Sequence, residues 1–444
     1  MSKKVLSASN KNAKLVPVPG FVFERRLDQI EEYVLKTNGL HVLYLQRKDT
    51  GVVTTNITYF VGSKDESRGE TGVAHMLEHM LFKPTAHDVA HHIAEGSAMH
   101  FERKTGSTLN ANTWKDRTTY YFSYPREYFT EALRIEADRM QNVILTDNVL
   151  TPEQGNVLSE FDMYNGDPQF ALAVQMYSTA FHSHPYGHET IGYREDIEDF
   201  TAEKLQRYYK NYYRPDNAVL MVVGDIDRTS ALTAIREHFS TITNPSSLIP
   251  RHLVREPKQE GIRRVSIKRP STTDLVSIGF KHPGFPKKEW FTNSIMLDVL
   301  VGGPESILHK LLVDTGVAAH VASSLEPTAE TNLAMIDITL APGETHEKIE
   351  ATALKAIKSL TVPAIEQLVK KAKAKMITQE FFGRTESLQI VAELTEYASA
   401  GDLSAYTSTQ AILASIATKD VQKALTTAFM DTNLNIGYFI GTQQ

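Results

Sequence analysis

The chain has 444 residues, 41% hydrophobic and 23% charged, with a formal net charge of -6. This is the composition of a folded globular chain with room for roughly two to four domains, and it offers nucleic acid or an anionic membrane no general attraction. Cysteine is absent, which excludes disulfides, thiol nucleophiles, iron–sulfur clusters and thiolate zinc sites, so any metal must be held by carboxylates and the 16 histidines.

Residues 1–20 are polar, contain Pro17 and Pro19, and read as an extended arm. The basic residues at the start are followed by no apolar run, so the expectation is a cytoplasmic chain, or a periplasmic one if a signal segment has been removed. No stretch approaches the roughly 20 apolar residues of a membrane span. Strands are expected at Glu32–Lys36, Val42–Gln46 and Thr54–Phe60, and a helical pattern runs over Gly69–Phe82. Paired strands follow at Leu109–Asn112 and Thr118–Tyr124. Helices are then expected at Glu127–Gln141, Thr151–Asn165, Gln169–Phe181 and Ala202–Tyr212. In the second of these, Thr151-Pro152-Glu153-Gln154 reads as a capped helix start. Asn217–Val223 has the pattern of a buried strand.

Residues 244–261 are rich in Pro, Ser, Arg and Lys without periodicity and read as a solvated linker. Beyond them the pattern starts again. Leu275–Phe280 followed by helix Phe291–Leu300 repeats the order of Thr54–Phe60 and Thr71–Leu81, and Asn433–Gly441 echoes Asn217–Gly224. The expected fold is α+β: two similar domains from a duplication, each a mixed β-sheet packed with helices. Their bounds are 21–243 and 262–444.

The strongest chemical signal is His75-Met-Leu-Glu78-His79. Residues four apart share a helix face, so both imidazoles can reach one ion, and Glu78 sits beside that face. Zinc suits two neutral imidazoles and a carboxylate with one position left for water, whose proton Glu78 could take as general base. This is the H-x-x-E-H order of the inverzincins. Glu153 and Glu160, two turns apart on one expected helix, are the candidates for the third ligand, one as ligand and the other orienting a histidine or the water. A histidine pair on a solvated helix surface is the plainer reading of the motif alone. The second-half helix Asn293–Leu300 has no histidine, which implies one zinc per chain.

His75-Met-Leu-Glu78-His79-Met-Leu-Phe-Lys-Pro-Thr85 resembles the zinc signature of the pitrilysin/insulinase family of metallopeptidases. Gly106–Thr113 with Thr119-Tyr-Tyr is similar to its edge-strand motif, and Glu153 and Glu160 match its paired glutamates. His184-Pro-Tyr-Gly187, Arg214-Pro-Asp-Asn217 and Leu311–Gly316 fit as well. The length is most similar to the half-size members, such as mitochondrial processing peptidases and their bacterial relatives. The resemblance implies that His75, His79 and Glu160 are the ligands of one Zn2+, that Glu78 is the base, and that Glu153 lies behind the ligands. It also implies a peptide substrate bound along Leu109, Asn110 and Ala111 by strand addition, inside a chamber formed by two chains.

Two features depart from the family pattern. The interval between His79 and Glu160 is long and contains His87, His91, His92 and His100, of which His87 and His91 have the spacing of a rival metal pair; a solvated helix and loop insertion is the favoured reading. The Arg and Tyr that grip substrate in active members have only Arg384 and Tyr397 as counterparts, thirteen apart. The expectation is therefore a zinc-bearing subunit whose paralogous partner supplies that pair, or a homodimer in which Arg384 and Tyr397 converge. His182, His184 and His188 read as structural or substrate-facing. The alternatives to a peptidase are a non-catalytic assembly subunit and a zinc-stabilised peptide-binding module.

Overall fold

The computed structural model describes residues 16–442, so residues 1–15 of the expected arm lie outside the described residues. Strands β1 (Phe21–Leu27), β2 (Ile30–Leu35), β3 (His41–Gln46), β4 (Val52–Tyr59), β5 (Thr108–Thr113), β6 (Thr118–Pro125) and β7 (Ala218–Gly224) form one sheet. Their order is β1-β2-β3-β7-β4-β6-β5. The central strand, Ala-Val-Leu-Met-Val-Val-Gly, is buried throughout, as aliphatic residues permit where both faces of a sheet are covered. It runs parallel to β3 and antiparallel to β4.

The second sheet contains β8 (Arg263–Pro270), β9 (Leu275–His282), β10 (Ala318–Ser324), β11 (Asn332–Leu340) and β12 (Leu434–Thr442), in the order β10-β11-β9-β12-β8. Its plan repeats the first. The parallel pair β8–β12 corresponds to β3–β7, and β9, β11 and β10 then follow antiparallel as β4, β6 and β5 do. Helix Val73–Met80 after β4 has its counterpart in Lys288–Val301 after β9. The chain is two similar α+β domains, and the β1–β2 hairpin is an addition to the first.

The halves exchange helices. Alternate residues of β7 face opposite ways: Ala218, Leu220 and Val222 enter the core of the first half, whereas Val219, Met221 and Val223 enter that of the second. There helix Ser387–Ser399 packs on β4 and β7. In return helix Pro168–Ala180 lays Leu172, Met176 and Tyr177 on the second sheet, against Leu275, Leu333, Met335 and Phe439. Gly437 makes room for this, since a Cβ there would lie 2.5 Å from Met176 Sδ. Each such buried side chain stabilises by about 1.5–3 kcal/mol, so parting the halves is costly.

One expected helix start is overturned. The helix bearing the paired glutamates runs Asp147–Asn165, with Thr146 as its cap and Pro152 inside it, so Thr151-Pro152 is not its start. Burial of Leu150 and the hydrogen bond from Ala202 N to Asp147 Oδ1 (2.9 Å) carry the first turn past the proline, whose missing N–H costs one helical bond. The segment 244–261 is irregular and mostly exposed, as expected of a solvated linker, and it is tied down at a few points. Arg251 donates to Phe60 O at 2.6 Å and Gln259 to Leu434 O at 2.8 Å. Glu256 accepts the successive N–H groups of His182 (3.0 Å), Ser183 (2.9 Å) and His184 (3.1 Å). Burial opposes ionisation of Glu256, but those three donors outweigh it and hold the carboxyl down at about 2. Among the described residues no helix is long and apolar enough to cross a membrane.

Candidate metal centre

The histidine helix, Val73–Met80, follows Gly72, whose φ of +90° suits glycine and at which a Cβ would lie 2.4 Å from Ile191 O. Its first turn is capped from elsewhere: the buried Glu66 carboxylate accepts from Gly72 N (2.9 Å) and Ala74 N (3.0 Å), and His188 Nε2 stands 2.9 Å from it. Val73, Met76, Leu77 and Met80 enter the core, which turns His75 and His79 away from it. On the glutamate helix Leu150 and Val157 are buried in the same way, and Glu153 and Glu160 lie along their stripe.

The two helices bring one ligand atom each from His75, His79 and Glu160 within 4.8 Å of one another. Glu160 Oε2 is 3.8 Å from His75 Nε2 and 3.5 Å from His79 Nε2. His79 donates Nδ1–H to Glu153 Oε1 at 2.9 Å, leaving Nε2 to face Glu160. Asn156 Nδ2 donates to Glu153 Oε2 at 3.0 Å, and Lys83 pairs with the same carboxylate. Burial, with His79 alongside, lowers the His75 imidazole and favours the neutral form that ligates a metal. Burial also depresses His79, but hydrogen bonds to Glu153 and Glu160 prevail and raise it to about 9. Glu153 is held at about 2 because His79 and Lys83 outweigh its burial. His79 thus faces two carboxylates where a cation is favoured. Two imidazole nitrogens and a carboxylate oxygen, with a second carboxylate behind one imidazole, fit a zinc ion.

Glu78 is buried beside this trio but offers it no ligand atom. Burial raises its carboxyl above the ordinary range, opposed by a hydrogen bond from Thr113 Oγ1 to Oε2 at 2.6 Å. Thr113 is the last residue of β5, so the carboxylate is joined to the sheet edge. β5 pairs with β6 on one side, and on the other with no strand among the described residues. Leu109 packs on the core, Ala111 is buried, and Asn110 Oδ1 accepts its neighbour's Ala111 N at 2.8 Å. Asn110 is exposed, and its side chain occupies the Ala111 N–H, so a peptide adding to the strand there would displace that bond.

Other candidates are engaged elsewhere. His87, Asp88 and Asp138 also bring ligand atoms within 4.8 Å. Asp88 accepts from Thr85 N (3.1 Å) and Ser97 N (3.0 Å), Asp138 accepts from Thr85 Oγ1 (2.5 Å), and Arg134 Nη1 stands 3.5 Å from His87 Nδ1. Those carboxylates serve helix capping, and a guanidinium stands where a cation would. His91 stacks on His87 and bonds its carbonyl oxygen, while His100 bonds Glu95. His184 bonds Tyr186 N and Glu330. Arg384 donates to Glu380 (2.7 Å) and Tyr406 O (2.6 Å), whereas Tyr397 is buried with its hydroxyl on Thr409. Lys83 and Thr113 lie inside motifs noted in the sequence but had no role assigned from it, and Glu66 was not singled out at all. Only Lys83, four residues after His79, had a helical spacing that could have flagged it.

Residues 41–194 match the family model described as Insulinase (Peptidase family M16), and residues 199–376 the model described as Peptidase M16 inactive domain. The chain is 28% identical over 415 residues to the zinc protease PqqE of Helicobacter pylori, covering 90% of each. It superposes on the crystal structure of a protease from Helicobacter pylori with a TM-score of 0.87 at 24% identity, covering 94% of this chain and 100% of that one. A likeness in fold extends to the ferredoxin protease FusC in complex with Arabidopsis ferredoxin, with a TM-score of 0.69 at 20% identity, covering 96% of this chain and 48% of that one.

Proposed function

The chain belongs to the insulinase (pitrilysin, M16) family as a half-size metallopeptidase, and from that premise we propose that it is an H-x-x-E-H endopeptidase acting on short or unfolded peptides in a chamber formed with a second chain. The observation that carries this is the meeting of His75, His79 and Glu160 within 4.8 Å, with Glu78 buried next to them and kept out of the ligand set. In this reading those three residues hold one zinc ion per chain. When bound, the ion supplies polarisation of a peptide carbonyl and acidification of a water.

The chain's own residues supply the rest. Glu153 fixes the His79 tautomer. Glu78, with Oε2 held by Thr113, takes a proton on its other oxygen and delivers it to the leaving amine; its raised carboxyl suits a group that must hold that proton between the two steps. The open edge of β5 at Leu109–Ala111 binds extended peptide through main-chain hydrogen bonds, which favours unfolded segments over folded ones. The domains run over 21–243 and 262–444, joined by 244–261, and only the first carries metal chemistry.

A paralogous partner supplies the substrate-gripping Arg and Tyr. The engagement of Arg384 with Glu380 and Tyr406, and of Tyr397 with Thr409, supports this over a homodimer using those two residues. An assembly subunit or a binding module has no use for a buried Glu78 beside the ligands.

The test is metal removal and partner addition. The purified chain is expected to carry zinc near one per chain and, with its paralogue, to cleave an unfolded peptide. Chelation abolishes cleavage and zinc restores it. Cleavage that survives complete chelation overturns the proposal, and full activity from the isolated chain overturns the part in which a paralogous partner completes the site.

A further inference from the structure

The second domain has no metal histidines, yet it grips the turn that ends the sheet edge of the first. That turn, between β5 and β6, carries three successive charged residues, Lys115, Asp116 and Arg117, all buried. Each finds a partner across the domain boundary. Lys115 Nζ lies 3.0 Å from Glu326 Oε2, above the Tyr177 ring. Asp116 accepts from Ala329 N at 2.9 Å. Arg117 pairs with Glu396 on helix Ser387–Ser399 and also donates to Asn112 Oδ1 in β5. Burying three charges at a hairpin tip is expensive, and such pairs are better at fixing one arrangement than at adding stability.

The arrangement they fix is the end of β5. As an edge strand it is bonded on one side only, so its position depends on its ends. Asn112 is held by Arg117, and the next residue, Thr113, holds Glu78. The chain of contacts therefore runs from Glu396 through Arg117 and β5 to Glu78.

We infer that Arg117, braced by Glu396 of the second domain, is a positioning residue that sets the end of β5 and, through Thr113, the place of the Glu78 carboxylate. The metal-free domain thereby shapes the site it does not contain. The inference rests on the peptidase reading for what the site does, but not for whether the brace exists.

The test uses the full chain with its paralogue and compares wild type, Glu396→Gln and Glu396→Asp. Glu396→Gln removes the charge from the less buried partner, and Glu396→Asp retains it. In Glu396→Gln, hydrogen exchange of residues 108–113 is expected to speed up about tenfold while exchange of helix Val73–Met80 and zinc content stay as in wild type. kcat for an unfolded peptide falls about 10- to 100-fold, more than KM changes, as displacement of a reacting group predicts. Glu396→Asp recovers most of both. Unchanged exchange at 108–113 in Glu396→Gln overturns the brace. Faster exchange with unchanged kcat overturns the positioning role. A wild-type pair that holds zinc but cleaves nothing defeats the peptidase reading, and the exchange comparison still decides the brace.

Discussion

Replacing Glu78 with glutamine is expected to lower peptide cleavage by about 10²–10⁴-fold while leaving the zinc content unchanged. The substitution keeps size and shape in a buried position, and its amide oxygen can still accept from Thr113 Oγ1. What it removes is the proton acceptor. In the proposed site the ligand atoms come from His75, His79 and Glu160, so none would be lost. Metal content by elemental analysis and kcat on an unfolded peptide, measured on the same preparation with its paralogue, check both halves of the expectation. A Glu78→Gln chain that cleaves at the wild-type rate would remove Glu78 from the mechanism. One that loses its zinc would make it a ligand.

The second large effect separates the two glutamates of the Asp147–Asn165 helix. If Glu160 is the proposed anionic ligand, Glu160→Gln puts a neutral amide in its place, and zinc affinity is expected to fall by more than about 100-fold, beyond the roughly 10–100-fold that loss of a supporting partner costs. Glu153→Gln belongs to the smaller class. Its carboxylate reaches the metal position only through His79, whose Nδ1–H it accepts at 2.9 Å, and its loss relaxes the ring without removing a donor. Competition against a chelator of known affinity measures both. The opposite ranking would exchange their roles. Lys83, which pairs with Glu153, stands one contact further out, and its loss is expected to cost less again.

The parts legible in the sequence were those set by short-range periodicity. His75 and His79 four apart, and Glu153 and Glu160 seven apart, are statements about one helix each. The duplication was legible because strand–helix order survives where identity does not: Leu275–Phe280 and the last strand hold the places of Thr54–Phe60 and Asn217–Val223 in their sheets. Long-range partners were not legible. Nothing in Arg117 announces Glu396, 279 residues away, and nothing in Glu256 announces the N–H groups of His182–His184. The Pro/Arg/Lys-rich segment 244–261 is exposed as a solvated linker should be, but the points where it is tied down depend on partners far away in sequence. Thr151-Pro152 misled for a related reason: the local signature of a helix start was outweighed by burial of Leu150 upstream. The strand Phe21–Leu27 went unread because its pattern is mostly exposed, with Phe21 alone buried in it, so alternation gave no signal. Thr113 was beyond reach because its contact with Glu78 exists only once the sheet edge meets the histidine helix.

One zinc ion is expected among His75, His79 and Glu160. Anomalous diffraction at the zinc edge, from crystals of the zinc-loaded chain, tests this most directly. The expected result is a single peak per chain within bonding distance of His75 Nε2, His79 Nε2 and a Glu160 carboxylate oxygen. A peak among His87, Asp88 and Asp138, or none between the histidine and glutamate helices, would rule this site out.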